Sequence, residues 1–403
     1  MMLRQSWEVP EESLCQPYSM NDLALPIEEL NLTVRAYNCL KRAGINTFGE
    51  LAFRRRRHIL AIKGVETETI KEIEERLAAF HLALKAAPED SVQRPARSVD
   101  HLPRSVSAIA FHPDGSLLAT GGADGTARLW DAGTAAPAGI ALSGHTDAIW
   151  SVAFHPEGHL LATGGADGTA RLWAAGTGHP VGIPLSGHIG SVYAVAFHPH
   201  GHLLATGGWD YGVRLWEVAT NRLIALFTGH TGEICAAAFH PGGYLLATAG
   251  EDDTVRLWDP ATGRSRTIVT DSPWSMAFHP DGHLLATGDP YGTARLWHVD
   301  TGRPAGTPLH AHDGSVRSVA FHPDGHLLAT GGADGTARLW HVDTGRPVGA
   351  PLCGHDGPVR SVAFHPHGHL LATGGSDGRA QLWDITDSVR DAPAERVAPV
   401  SDR

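Results

Sequence analysis

Four cysteines in 403 residues (Cys15, Cys39, Cys235 and Cys353) form no Cys-x-x-Cys pair, which excludes a zinc knuckle and argues against a disulfide framework. No apolar run approaches the roughly 18–20 residues that span a bilayer. The opening stretch MMLRQSWEVPEESLCQ has no apolar core of the kind that marks a secretory signal. A phosphate-binding Gly loop, a nucleophile motif and a metal cluster of recognisable spacing are all missing. Basic residues are short against acidic ones, 32 to 43, so the net charge of −11 does not suit a generic nucleic-acid binder. The expectation is a reduced, cytoplasmic, non-enzymatic protein with no cofactor, no metal and no membrane contact. Charge is uneven, however: between Asn21 and Lys85, 11 Lys and Arg stand against 9 Asp and Glu, a weakly basic segment on an acidic body.

What is present is repetition. SVAFHPDGHLLATGGADGTARLW, from Ser318 to Trp340, recurs in seven copies ending at Trp130, Trp173, Trp216, Trp258, Trp297, Trp340 and Trp383. The steps are 43, 43, 42, 39, 43 and 43 residues. A fixed period of this size means one supersecondary unit per copy, which needs neighbours to bury its apolar faces. Within a copy, SVAF, HLLAT and ARLW read as short strands separated by the turns HPDG and GGADGT, with a fourth strand possible in the looser stretch that follows. Four-stranded sheets set radially protect the edges that an open sheet exposes.

These copies closely resemble the WD40 family from about residue 92 to 386, and three of them carry Trp-Asp itself (Trp130-Asp131, Trp258-Asp259 and Trp383-Asp384). The resemblance implies an all-β seven-bladed propeller. It also implies, in each blade, a buried hydrogen-bonded tether of His, Asp, Thr and Trp. Ten places before each Trp stands Thr120, Thr163, Thr206, Thr248, Thr287, Thr330 or Thr373. Six before it stands Asp124, Asp167, Asp210, Asp252, Asp334 or Asp377, and 28 before it His145, His188, His230, His312 or His355. Such sets resemble catalytic triads, but a ring of them without a shared cleft makes a structural tether, not an active site. In the first copy His101 comes one place early. The copy ending at Trp297 has Val269 and Tyr291 in place of His and Asp, and should be the loosest. The stretch 92–99 resembles a fourth strand and should close the ring on the last blade.

Positions that differ between copies are candidates for function. Four residues before the FHP phenylalanine stand Ser107, Trp150, Tyr193, Cys235, Trp274, Arg317 and Arg360. In the WD40 family this position faces the ring mouth, so Trp150, Tyr193, Trp274, Arg317 and Arg360, with Trp209 from the neighbouring turn, are the expected surface for a protein partner. The competing reading packs these aromatics between blades. The FHP histidines read as solvent-exposed turn residues on a passive face, copied along with the repeat.

The remaining quarter is different. Residues 26–51, PIEELNLTVRAYNCLKRAGINTFGEL, resemble the C-terminal domain of the bacterial RNA polymerase alpha subunit, and the likeness continues more weakly to about Leu84. A small all-α domain is expected over residues 21–85. Asn31 or Thr33 caps a first helix to Arg42, Thr47 a second, and Thr67 or Thr69 a last one with Ile70, Ile73, Leu77 and Phe80 on one stripe. Residues 1–20 are expected to be disordered, 86–91 to be a linker, 92–387 to be the propeller and 388–403 a disordered tail. The resemblance implies DNA contact through Arg35, Asn38, Cys39 and Lys41, with the arginine in a narrow minor groove. It also implies a phosphate clamp at the start of the last helix. There the chain reads Lys63-Gly64-Val65-Glu66-Thr67-Glu68, with carboxylates at two of the clamp's positions. Arg54 to Arg57 read either as a partial compensation or as a plain solvated surface. Two functions follow: a transcription-associated interaction scaffold whose N-terminal domain docks on DNA or RNA polymerase, or a DNA-binding regulator with the propeller as sensor or effector platform.

Restoring the clamp with Glu66→Gly and Glu68→Lys should raise affinity for A·T-rich DNA at low salt, and Arg35→Ala should abolish binding. A titration of the full-length protein with labelled duplex, repeated at several salt concentrations, checks both. An unchanged affinity in the double variant would mean that the family's mode of DNA binding does not apply.

Overall fold

The computed structural model describes residues 25–42, 45, 47, 51, 59, 67–78, 95–99 and 105–390. Residues 1–20, the linker 86–91, His101, Phe80, Arg54 to Arg57 and Lys63 to Glu66 lie outside the described residues, as does the side chain of Glu68. The protein divides into two units, Met1–Ser91 and Val92–Arg403.

In the first unit the described residues form short helices. A 3-10 turn, Ile27–Leu30, ends at Asn31 in the left-handed region (φ 48°). Helix Val34–Arg42 follows, capped by Thr33, whose hydroxyl accepts the Ala36 N–H at 3.4 Å. Helix Thr67–Ala78 turns Ile70, Ile73 and Leu77 inward, onto a core shared with Ile27, Leu30, Leu40, Ile45, Leu51 and Ile59. Glu72 on that helix accepts hydrogen bonds from both the amide and the hydroxyl of Thr33, tying the last helix to the cap of the first.

The second unit is a closed ring of seven four-stranded antiparallel sheets. Blade 1 is built from Val106–Phe111, Leu117–Gly122, Thr126–Asp131 and Leu142–Ser143, and the pattern repeats to blade 7. Blade 7 has only three strands of its own, Val359–Phe364, Leu370–Gly375 and Ala380–Asp384. Its fourth is Arg97–Val99, which pairs Ser98 with Gln381 and so closes the ring with the propeller's own beginning. After the last blade a helix, Thr386–Arg390, is capped by Asp384, which accepts the Thr386 amide and hydroxyl at 3.0 and 2.6 Å.

The apolar residues sit between sheets. Leu118 and Trp130 of blade 1 pack with Ala372, Ala380 and Leu382 of blade 7, and each neighbouring pair of blades shares such a cluster. Inside each blade the polar residues at the repeat spacing meet. In blade 2, Trp173 Nε1 donates to Thr163 Oγ1 at 2.9 Å, His145 Nε2 lies 2.7 Å from the same oxygen, and His145 Nδ1 lies 3.0 Å from Asp167. The same geometry joins His188 to Asp210 and Thr206, His230 to Asp252 and Thr248, His312 to Asp334 and Thr330, and His355 to Asp377 and Thr373. Trp216, Trp258, Trp340 and Trp383 each donate to the threonine of their own set. In blade 2 an imidazole protonated on Nδ1 satisfies every member: it donates to the carboxylate and accepts the threonine proton, while the threonine oxygen accepts the indole. A net hydrogen bond contributes roughly 1 kcal/mol, but a buried donor left unmade costs about 1–3 kcal/mol, so the set stands or falls together. In blade 1 Thr120 accepts from Trp130, and Asp124 is held by Arg128 at 2.7 Å.

Blade 5 solves the same problem differently. Thr287 still accepts from Trp297, yet Val269 is exposed. The carboxylate comes instead from Asp289, which is buried and accepts the amides of Tyr291 and Thr293 at 2.9 and 2.8 Å. It braces its own turn and reaches no histidine.

The FHP histidines overturn the expectation of exposure. His155, His198, His240, His279, His322 and His365 are buried, and His112 half-buried. Each points Nε2 at a glycine carbonyl of the next blade. His112 reaches Gly158 at 3.0 Å, His198 reaches Gly243 at 3.1 Å, and His365 crosses the ring closure to Gly115 at 3.1 Å. Each imidazole also stands edge-on to the next blade's FHP phenylalanine, as His112 does to Phe154 at 5.1 Å. The glycine is required twice over: Gly158 has φ +79°, and a Cβ there would run into the His112 ring. In His155, His198, His240 and His365 Nδ1 accepts the amide two residues on, as His198 does from His200 at 3.1 Å, which leaves Nε2–H to donate; in His112, His279 and His322 Nδ1 also meets an aspartate of the turn at 2.6 Å.

Burial pushes His155, His198, His240 and His365, and likewise the tether imidazoles His145, His188, His230 and His312, below the ordinary 6.5. The unfolded state therefore takes up protons that the folded state refuses, so stability is complete above 6.5 and is lost as pH falls through the depressed values. Denaturant midpoints should be level from about pH 8 to about pH 7 and drop steadily below about 6.5, and a midpoint independent of pH would contradict this account. Hydrogen exchange should find Ser275–Trp297 of blade 5 less protected than Ser318–Trp340 of blade 6; equal protection would show that the turn braced by Asp289 replaces the tether fully.

Candidate functional site

The first hairpin of a blade is not regular. Its register shifts between Val106 and Ala108, Ile149 and Ser151, Val192 and Ala194, Ile234 and Ala236, Val316 and Ser318, and Val359 and Ser361. The residue skipped in each case is Ser107, Trp150, Tyr193, Cys235, Arg317 or Arg360. A bulge re-aims one side chain away from both faces of its sheet, and here the bulged residues line a common cavity of about 320 Å³. Blade 5 reaches it without a bulge: Trp274 stands just before the strand, and its amide donates to Gly288 O at 2.9 Å. The residue after the bulge fixes the blade beside it where it is serine. Ser151 Oγ accepts the Val195 amide at 3.1 Å, and Ser361 accepts that of Ile109 across the closure.

Trp150, Tyr193, Trp274, Arg317 and Arg360 are thus brought together, joined by Ser107, Cys235, Glu233 and Glu251. Trp150 and Tyr193 meet edge-on at 6.0 Å, and the Arg317 guanidinium lies over the Trp274 ring at 4.5 Å. Two buried polar atoms here have no hydrogen-bond partner among the described residues, Trp150 Nε1 and Arg360 Nε. Trp209 does not line the cavity; it packs on Gly190 and stays about half exposed, at 48%. The equivalent turn position of blade 4, Glu251, does line it. Neither glutamate stands out in the sequence beside the aromatics and arginines. The signal for Glu251 is its place in a turn where Ala123, Ala166 and Ala333 stand in other copies.

The mouth has little nucleophilic chemistry to offer. Burial, then the charges of Glu251, Glu233 and Asp252, pushes the Cys235 thiol up to about 12, so it stays protonated at neutral pH. Burial and Glu233 raise the Glu251 carboxyl above its ordinary value, and burial and Arg360 lower the Arg317 guanidinium. On the turn face, His155, Glu157 and His159, and His279, Asp281 and His283, each bring three ligand atoms within 4.8 Å of one another. His155 and His279 already use both ring nitrogens: Nε2 meets the next blade, and Nδ1 meets the turn amide in His155 and the Asp281 carboxylate and amide in His279, so a metal would have to displace these contacts.

In the N-terminal unit Arg35 and Asn38 lie exposed along one face of helix Val34–Arg42. The Cys39 side chain is 4% exposed and belongs to the core cluster that holds Leu40, Ile70 and Ile73. Lys41 is ion-paired with Glu28 at 2.9 Å, and Glu28 also accepts from Tyr37.

Fold and site together define a seven-bladed propeller with an aromatic and charged mouth. The pattern described as "WD domain, G-beta repeat" matches residues 94–131, 139–174, 178–217, 221–259, 265–298, 302–341 and 345–384, more than half of the protein, which belongs to the WD40 repeat family. The pattern for the C-terminal domain of the bacterial RNA polymerase alpha subunit matches residues 16–79. Over 69 residues the protein is 52% identical to the DNA-directed RNA polymerase subunit alpha of Beutenbergia cavernae, covering 17% of its own length and 20% of that subunit. The subunit of Acidothermus cellulolyticus is 54% identical over 67 residues (17% and 20%), and that of Cutibacterium acnes 54% over 63 (16% and 19%). The match spans about one fifth of the length of these relatives. No helix among the described residues is long and apolar enough to cross a membrane.

Proposed function

We propose that this protein is a non-enzymatic, cytoplasmic interaction scaffold associated with transcription. Its propeller mouth takes a protein partner, and a small all-α module over residues 21–85 docks on DNA or the transcription machinery. One observation carries the first part: the side chains that differ between copies fall on the bulge that lines one cavity. Aromatic and arginine side chains dominate interface energetics. Similarity over residues 16–79 to a domain of polymerase alpha subunits supports the second part.

Docking on protein is favoured over a purely DNA-binding regulator with the propeller as its sensor. Of the four groups that DNA contact would use, Cys39 is buried and Lys41 is engaged by Glu28. Salt-dependent binding of promoter-length duplex by the full-length protein is the result that would favour the regulator instead.

Truncating a central aromatic in a dry interface costs about 2 kcal/mol, roughly a thirtyfold loss of affinity. Trp150→Ala and Trp274→Ala should therefore release the partner recovered from the native cell with the tagged full-length protein, with little change in the unfolding midpoint. Variants that fold and still hold the partner would place binding elsewhere. Variants that unfold would make the tryptophans core.

A further inference from the structure

The mouth keeps its charges apart. Glu233 and Glu251 both come from blade 4, Arg317 from blade 6 and Arg360 from blade 7. In a ring of seven, blade 7 lies nearly opposite blade 4 and blade 6 two blades from it, so carboxylates and guanidinia occupy separate sectors of the cavity wall. Among the described residues no ion pair joins either glutamate to a Lys or Arg, or either arginine to an Asp or Glu. Each sector instead holds two like charges, partly withdrawn from water and raising each other's cost.

That arrangement selects its occupant. A purely acidic segment would satisfy the arginines and be repelled by blade 4, and a purely basic one the reverse. An uncharged apolar segment would strip water from both sectors and return nothing. A free α-amino acid carries both charges at one carbon, whereas these charges sit on blades two and three steps apart around the ring. The geometry points to a mixed-charge peptide segment of a partner protein, seating a Lys or Arg side chain against Glu233 and Glu251 and an Asp or Glu side chain against Arg317 and Arg360. The cation finds the ring of Tyr193 on the blade next to the carboxylates, itself in contact with Trp150; the anion finds two guanidinium groups, of which Arg317 lies over Trp274. This occupant rests on the reading of the mouth as the partner surface.

The test selects short end-capped peptides from a random library on the immobilised full-length protein. Wild type should enrich peptides that carry both a basic and an acidic residue. Glu233→Gln with Glu251→Gln should relax the basic requirement alone, and Arg317→Gln with Arg360→Gln the acidic one alone. Each pair should weaken the wild-type-selected peptide by roughly tenfold, with unchanged unfolding midpoints. Peptides of one sign or none, or enrichment that ignores the glutamine variants, would overturn the proposed occupant. If such peptides are still lost with Trp150→Ala, only the occupant is wrong and the mouth stands. If no peptide depends on Trp150 or Trp274, the mouth reading falls and this inference with it.

Discussion

A propeller blade has two apolar faces and no means of covering either by itself, so the strength of this molecule lies in what passes between blades. The contact that recurs at every junction is an imidazole, edge-on to a phenylalanine and donating Nε2–H to a glycine carbonyl of the next sheet. Its partner is a backbone group in a turn that only glycine can make, so ring, carbonyl and glycine form one unit. The last of these contacts joins residues 250 apart, His365 and Gly115, at the junction where Arg97–Val99 also completes blade 7. Closure thus adds the same contact as every other junction, together with one strand borrowed from the propeller's beginning.

The two histidine systems divide the labour. The tether fixes five of the blades internally, from the loop at the entry to the tryptophan of the third strand, with the carboxylate as terminal acceptor. The FHP imidazoles fix blade to blade. Burial holds imidazoles of both systems below their ordinary value, so each system resists taking up protons while folded. Blade 5 marks the limit of the scheme, since Asp289 turns inward on its own hairpin and leaves that blade held chiefly by its neighbours.

Much of this is legible in the sequence, and what is not shares a cause. A fixed period with alternating strands and turns reveals the ring. The spacing of Trp, Thr, Asp and His reveals side chains that meet side chains at constant register, such as Thr163 opposite Arg171 and Leu161 opposite Trp173. The FHP contact is illegible because its acceptor is a backbone carbonyl, which leaves no residue type to read. Asp289 escapes notice because it works two places from the expected aspartate. The turn position of Trp209 points to the mouth, yet the same position in another blade, Glu251, is the one that lines the cavity. In the N-terminal unit the helical stripe is readable, but the inward turn of Cys39 follows from the core that helix Thr67–Ala78 completes.

The bulge in the innermost hairpin releases one position from the repeat's architecture. Its side chain belongs to neither sheet face and takes no part in the tether or the imidazole–glycine contact, so the copies differ there while the sheets around it keep one pattern. Six blades carry such a place, and blade 5 brings Trp274 to the same cavity without one. These side chains are coupled to one another rather than to their sheets: Trp150 meets Tyr193 and Arg317 lies over Trp274, so a change at one is felt first by the side chain of the next blade.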